Sequence, residues 1–325
     1  MEAIDFKALQ EFIASYKNKK VLLTFHSMAD TDSVSSAFGL ARYFSNARIA
    51  APDYITANCR RIMERLGFGE NLISKEFDAG ADLVVLLDVN NFEDCGVFMK
   101  ELERFKRTIL IIDHHTLSKV EKENVVIFND ESYNSTASIV YQLIGGSVKM
   151  DKKLASMLAT GIISDSAEFK NAFPKTFIQI GELLEAGKTD YTSLLQEIQH
   201  PAAPETREGF IENLFDSNIK IINSMLMVYG KADVHANMLA DDGIRIGADV
   251  SLFYTTSKNE LSFSARLRPP LDKTHKIHLG KLMKGLSPII GGTGGGHPCA
   301  AGAYGPKKEN KDKFLNAFIE RISSV

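Results

Sequence analysis

Short, almost unbroken apolar runs recur through the first half of the chain, separated by stretches with helical periodicity. The runs are VLLTF (21–25), ARIAA (47–51), LVVLLDV (83–89), ILII (109–112) and VVIF (125–128). Among them lie SSAFGLARYFS, CRRIMERLG, FMKELERF and, later, STASIVYQLI. A strand that is apolar at successive positions has both faces buried, and strand–helix alternation supplies helices for both faces. The pattern predicts an α/β fold, with a doubly wound parallel five-stranded sheet.

Near LLQEIQHPAAPETREGF the alternation breaks, with two prolines close together. From Thr206 to about Tyr229, Ile211, Leu214, Phe215, Ile219, Ile222 and Met225 recur at three- and four-residue steps, which predicts one connecting helix. Beyond it, IRIGADVSLFY and LSFSARLR alternate, and a glycine cluster follows, so a smaller α+β domain is expected at the C-terminus. The division that results is residues 1–190 as a first domain, 191–229 as a helical linker, and 230–325 as a second domain.

Composition narrows the class without choosing a function. At 325 residues, with 44% hydrophobic and 24% charged positions, the chain is ordinary for a globular protein of two domains. No apolar run approaches the ~20 residues of a membrane span, and MEAIDFKALQEF lacks the marks of a signal peptide. A cytoplasmic protein with no membrane partner is expected. The three cysteines, Cys59, Cys95 and Cys299, have no metal-finger or disulfide spacing and read as packing residues. The net charge of -3 conceals an asymmetry: Arg266–Val325 holds 11 Lys+Arg against 4 Asp+Glu. A basic C-terminal region attracts phosphates, while an acidic remainder disfavours wrapping a long polyanion.

The candidate chemistry lies where the strong strands end. VLLTF runs into His26, Asp30 and Asp32; LVVLL into Asp88; ILII into Asp113, His114 and His115; and the apolar helical stretch LASMLATGIISD closes on Asp165. Ligands in open parallel sheets bind at the carboxyl ends of strands. Each position alone has a bland reading, as a helix cap, a turn residue or a satisfied histidine. Four such sites in order, each at an element end, favour a shared purpose. Several carboxylates brought together raise one another's pKa and resist joint ionisation unless cations neutralise them. Mixed Asp/His ligands without thiolates suit manganese, cobalt, zinc or magnesium, and six candidate ligands suffice for two ions.

These segments resemble the DHH phosphoesterase family, which includes RecJ exonucleases, NrnA-type oligoribonucleases and pAp phosphatases, cyclic dinucleotide phosphodiesterases and family II pyrophosphatases. HSMADTDSVSSA, LLDVN, IIDHH and GIISDSAEF are similar to its four motifs, and GGTGGGHPCAAGA to the glycine–histidine signature of the DHH-associated domain. The resemblance implies that 1–190 is catalytic and 230–325 binds substrate. It implies one ion held by His26, Asp30 and Asp88, and a second by Asp32, Asp88, His114 and Asp165, most often manganese. It places His115 against the scissile phosphate and Asp113 behind a ligand imidazole. Gly294, Gly295, Gly296 and His297 would grip an anion, helped by Arg266 and Arg268, which alternate on a predicted strand.

The implied activity is a phosphodiesterase that degrades short oligonucleotides to mononucleotides, with pAp 3′-phosphatase activity in view. The alternatives are a cyclic or linear dinucleotide phosphodiesterase, a RecJ-like single-strand exonuclease, or a catalytically silent nucleic-acid-binding module. The absence of tryptophan weighs against a stacking channel for long single strands. Pyrophosphatase activity is disfavoured because the glycine–histidine signature goes with the nucleotide-cleaving branch. No obligate protein partner is evident, and a homodimer is left open.

Overall fold

The computed structural model describes residues 2–116, 120, 122–198, 204–233, 235–258 and 260–324. The chain divides into two compact units, residues 1–200 and 201–325.

In the first unit, the five apolar runs are the five long strands of a parallel sheet. Their spatial order is Val125–Asn129, Thr108–Asp113, Leu83–Leu87, Lys20–Phe25, Asn46–Ala50. Two further strands of two residues each, Glu2–Ala3 and Ile73–Ser74, extend the edges, so the sheet has seven strands where five are predicted. These edge pieces are too short to carry a hydrophobic period of their own.

Successive side chains point to opposite faces of a strand. Val21, Leu23, Phe25, Val85, Leu87 and Ile112 meet the helices Phe6–Ser15, Thr31–Ala41, Thr136–Ile144 and Lys152–Asp165. Leu22, Val84, Leu86 and Ile111 meet Phe98, Leu102 and Phe105 on the other side. Each fully buried aliphatic side chain contributes roughly 1.5–3 kcal/mol, which explains why both registers of these strands are apolar. Helices Thr31–Ala41 and Lys152–Asp165 approach closely through glycine: a Cβ at Gly39 would lie 2.9 Å from the Leu158 and Val140 side chains. A Cβ at Gly161 would collide with the Ser35 hydroxyl. This contact sets the end of one helix, Asp165, beside the start of the other.

The chain leaves Lys20–Phe25 toward Asn46–Ala50 on one side and later returns to Leu83–Leu87 on the opposite side. The strand order therefore reverses between Lys20–Phe25 and Leu83–Leu87, and the loops beyond their carboxyl ends splay apart to leave a crevice.

The second unit has a six-stranded sheet ordered Asn218–Ile222, Met225–Lys231, Val250–Thr256, Leu261–Leu267, Ala300–Gly305, Thr293–Gly296. Only the pairing of Met225–Lys231 with Val250–Thr256 is parallel. Helices Leu279–Leu286 and Lys311–Ser323 cover one face, burying Met283, Phe314 and Phe318 against Leu252, Phe263 and Ala265. Helix Ala236–Arg245 covers the other, with Leu239 and Ala240 beside Val228 and Phe253.

The single helix predicted from Thr206 to about Tyr229 is not formed. A helix spans Pro204–Phe215, and the rest is a hairpin of Asn218–Ile222 and Met225–Lys231. Asn223 and Ser224, with φ of 48° and 65°, make its two-residue turn, a backbone that matches strand twist and breaks helix propagation. Residues 199–203 of the predicted linker lie outside the described residues.

Candidate metal centre

The crevice of the first unit holds eight acidic and imidazole side chains delivered by four segments. His26 follows strand Lys20–Phe25, and Asp30 caps helix Thr31–Ala41, its Oδ1 accepting from the Ser33 N–H at 3.0 Å. His26 Nε2 lies 3.7 Å from Asp30 Oδ1 and 3.6 Å from Asp88 Oδ2. Asp88 follows Leu83–Leu87 with φ 61°, the left-handed region that non-glycine residues seldom occupy. That conformation turns its carboxylate back across the strand ends. Its other oxygen, Oδ1, lies 3.5 Å from His114 Nε2 and accepts from the Thr136 hydroxyl at 3.2 Å.

Asp32 is buried at the start of a second helix. Its two oxygens accept from the N–H groups of Thr136 and Ala137 at 2.7 and 2.8 Å, so the amino end of Thr136–Ile144 supports a carboxylate inside the protein. His114 Nε2 is 4.0 Å from Asp32 Oδ2 and 3.2 Å from Asp165 Oδ2. It is buried and has no hydrogen-bond partner. A buried imidazole nitrogen without a partner costs free energy unless something else binds it.

Three groups of ligating atoms each fall within 4.8 Å: His26, Asp30 and Asp88; Asp32, His114 and Asp165; and Asp88, Asp113, His114 and His115. Two donors each about 2.1 Å from a common ion stand roughly 3–3.5 Å apart. The cross-distances from Asp88 and Asp165 to the two imidazoles, 3.2 to 3.6 Å, are close to that spacing. With the orphaned His114 Nε2 and an all-oxygen and imidazole donor set, the residues fit divalent cations of the manganese–zinc series.

Electrostatics agree. Burial raises the Asp32 carboxyl well above the usual range, with Asp88, Asp165 and Asp30 adding to it. Burial and the Asp88 charge push Asp165 up to about 6. Burial works against ionised Asp88 as well, but the neighbouring His114 and His26 imidazoles outweigh it and hold that carboxyl below its ordinary value. Burial would lower His26, yet Asp30 and Asp88 raise it to about 10. Without metal, protons supply the positive charge that the cluster requires.

Asp113 is fully buried behind the cluster. Its Oδ1 takes the His115 Nδ1 at 2.9 Å and the His114 N–H at 2.8 Å, and its Oδ2 accepts from Asn90 Nδ2 at 2.5 Å. The Asp113 hydrogen bond, partly opposed by burial, raises His115 to about 9. His115 is the exposed member, and it helps line an open cavity of about 480 Å³ together with His26, Asp30, Asp88 and Asp165. Asn90 and Thr136 have no counterpart among the candidates read from the sequence. Each has an ordinary structural use there, and Thr136 acts in part through its backbone.

In the second unit, Arg266 and the glycine segment share one end of the sheet. Arg266 pairs in register with Ala300, and Gly296 with Ala301. Gly294, Gly295 and Gly296 form an edge strand, with His297 at the turn beyond it. Two of the three have a packing cause: a Cβ at Gly294 would lie 2.6 Å from the Met283 carbonyl and one at Gly296 2.6 Å from the Ala300 carbonyl, while Gly295 faces open space. Neither arginine fork is idle. Arg266 bonds both oxygens of Asp241, at 2.7 and 3.3 Å, while Arg268 donates to the Ala248 carbonyl and lies 3.4 Å from Asp249.

Comparison with known proteins agrees with this architecture. Residues 20–162 match the DHH family, N-terminal domain, and residues 218–324 match the DHHA1 domain. An uncharacterized protein of Methanocaldococcus jannaschii, MJ0988, is 26% identical over 320 residues, covering 95% of this chain and 94% of that one. A probable manganese-dependent inorganic pyrophosphatase of Streptococcus pyogenes is 28% identical over 196 residues, 53% of this chain and 58% of its own length. The crystal structure of an exopolyphosphatase-related protein from Bacteroides fragilis superposes with a TM-score of 0.78 at 16% identity, covering 98% and 97% of the two chains. The chain carries a DHH domain followed by a DHHA1 domain, and the strand ends that bear His26, Asp88, Asp113, His114 and His115 lie within the first.

Proposed function

We propose that this protein is a divalent-metal-dependent phosphodiesterase that hydrolyses short oligonucleotides to nucleoside monophosphates. The observation that carries the reading is Asp88, whose two oxygens face His26 and His114 separately, as a carboxylate shared by two cations would. His26, Asp30 and Asp88 would hold one ion, and Asp32, Asp88, His114 and Asp165 the other. Manganese suits the mixed imidazole and carboxylate set. When bound, two such ions would lower the pKa of a water and neutralise charge on phosphoryl oxygens.

The remaining work belongs to the chain. His115 faces the cavity, and the Asp113 hydrogen bond favours its protonated form, which would donate to a phosphoryl oxygen. Asp113 orients that ring through Nδ1, and Asn90 holds Asp113 in turn. Thr136 fixes Asp88 and, through its N–H, Asp32, so neither carboxylate need reorganise when charge develops. Arg266, Arg268, Gly294, Gly295, Gly296 and His297 would contribute substrate grip, and the arginines would exchange an intramolecular partner for a phosphate. pAp 3′-phosphatase activity is a subsidiary expectation of the same site. The pyrophosphatase relative matches only 53% of this chain, which favours a nucleotide substrate over pyrophosphate for a protein with a DHHA1 domain.

The test is a comparison of initial rates with manganese on RNA and DNA of two to ten nucleotides, pAp, cyclic di-AMP and pyrophosphate. The shortest linear RNAs are expected to react fastest. Equal rates on long single strands would favour an exonuclease, and binding without manganese-stimulated turnover would leave a nucleic-acid-binding module.

A further inference from the structure

The basic excess of the C-terminal region has a location. A cavity of about 490 Å³ in the second unit is walled by Lys276, His278, Lys281 and Arg321, over a floor of Ile277, Leu282 and Leu286. Among the described residues no carboxylate lines it, and the side chains of Lys276, Lys281 and Arg321 make no ion pair or hydrogen bond. Cations on a protein surface usually meet acidic neighbours, as Arg245 meets Asp242 here. Three unpaired cations converging over an apolar floor hold positive charge together at a cost in repulsion.

The helix geometry explains the two faces of this wall. Gly280 and Met283 turn toward the glycine strand, where a Cβ on Gly280 would strike Gly296. His278, Lys281, Leu282 and Gly285 occupy the opposite face, toward Arg321 and Ser324. The first N–H groups of the helix bond to the glycine–histidine turn, Leu279 to the Pro298 carbonyl at 2.9 Å and Gly280 to the His297 carbonyl at 3.1 Å. The cavity and the glycine–histidine turn are thus separated by one helix and tied by its first turn.

We infer that this cavity is a nucleotide-binding subsite, in which Lys276, Lys281 and Arg321 take a phosphate and Ile277, Leu282 and Leu286 take the base. Its volume suits a nucleoside phosphate, and small-molecule sites combine an apolar lining with a few convergent polar groups. Arginine and lysine recognise phosphate through charge-assisted hydrogen bonds. The ligand is either a free mononucleotide or a nucleotide within a short strand, and both present the same chemistry. The inference concerns binding and stands apart from the metal centre.

The experiment uses the full chain carrying Asp88→Asn, so that turnover does not enter the measurement, and reads calorimetric binding of AMP, a 5′-phosphorylated pentanucleotide and inorganic phosphate. Saturable AMP binding is expected, weakened at least tenfold by the triple change Lys276→Gln, Lys281→Gln, Arg321→Gln. Because all three side chains are exposed, the single variants provide the same reading should the triple variant fold poorly, each with about a threefold loss. AMP affinity unchanged in those variants would overturn the inference. Phosphate binding as tightly as AMP would overturn the assignment of a base to the apolar floor. A strand nucleotide is indicated if the pentanucleotide loses more affinity than AMP in the triple variant, and a free mononucleotide if it loses less. If the metal-centre reading fails and AMP still binds, the cavity assignment survives alone.

Discussion

The two units treat charge in opposite ways. In the first, Asp32, Asp88 and Asp113 are buried, and the carboxylates and imidazoles are held by helix N–H groups and by one another, so that each position depends on several neighbours. In the second, Lys276, Lys281 and Arg321 are exposed and held by little more than their own backbone, while Arg266 and Arg268 are parked on internal partners. Under the proposed function the contrast separates two tasks. Chemistry on a phosphate requires donors fixed in advance, because reorganisation during reaction adds to the barrier. Capture of a polyanion tolerates mobile cations, and Coulomb attraction across a few ångströms of water suffices.

The sharpest way to break the comparison is at Asp88. Asp88→Ala should lower manganese-stimulated hydrolysis of a diribonucleotide by at least about a thousandfold, in the range of lost electrostatic stabilisation of a transition state. It should also reduce the manganese stoichiometry in calorimetry. A loss below tenfold would remove the shared carboxylate from the mechanism. Next comes Asn90→Leu, which deprives buried Asp113 of its Oδ2 partner. An unsatisfied buried acceptor costs about 1–3 kcal/mol. A fall in thermal midpoint with a 10–100-fold loss of kcat and little change in KM would place the effect on the His115 support.

A third probe uses pH. His26 rises from 6.5 to about 10 in the metal-free cluster, so its protonated form is favoured by folding. That contribution is complete below about pH 6.5 and disappears as pH rises through 10. Metal must displace the same protons, so manganese affinity should climb with pH between 6 and 9, with proton release seen as buffer-dependent enthalpy. A flat profile would contradict it. The smallest effect belongs to the second unit: Arg266→Ala should raise KM for a short oligonucleotide several-fold at nearly constant kcat, with a salt dependence shallower than that of the native protein.

Much of the candidate metal centre is legible because parallel strands are apolar along their whole length, so the first polar residue after each run marks a strand end. Topology then collects those ends. The supporting groups were not legible, since the N–H groups of Thr136 and Ala137 exist at any sequence and Asn90 looks like any turn residue. The hairpin at 218–231 was misread for a related reason. Ile219, Ile222 and Met225 fit a helical step, and the decisive feature was the left-handed pair Asn223–Ser224, which can equally terminate a helix. The glycines of GGTGGG invite a reading as anion approach, whereas the Met283 carbonyl already accounts for Gly294, and a φ of 131° with the Ala300 carbonyl close by accounts for Gly296.

Asp88 also filters what can replace it. At φ 61° the residue sits where a Cβ is crowded by its own chain, and asparagine and glycine tolerate that region best. A lineage that lost the chemistry but kept the fold would therefore drift toward Asn or Gly at this site before it reached Ala or Val. The backbone would keep a record of the abandoned carboxylate, readable in any descendant as a small or amide side chain at the crossover of the sheet.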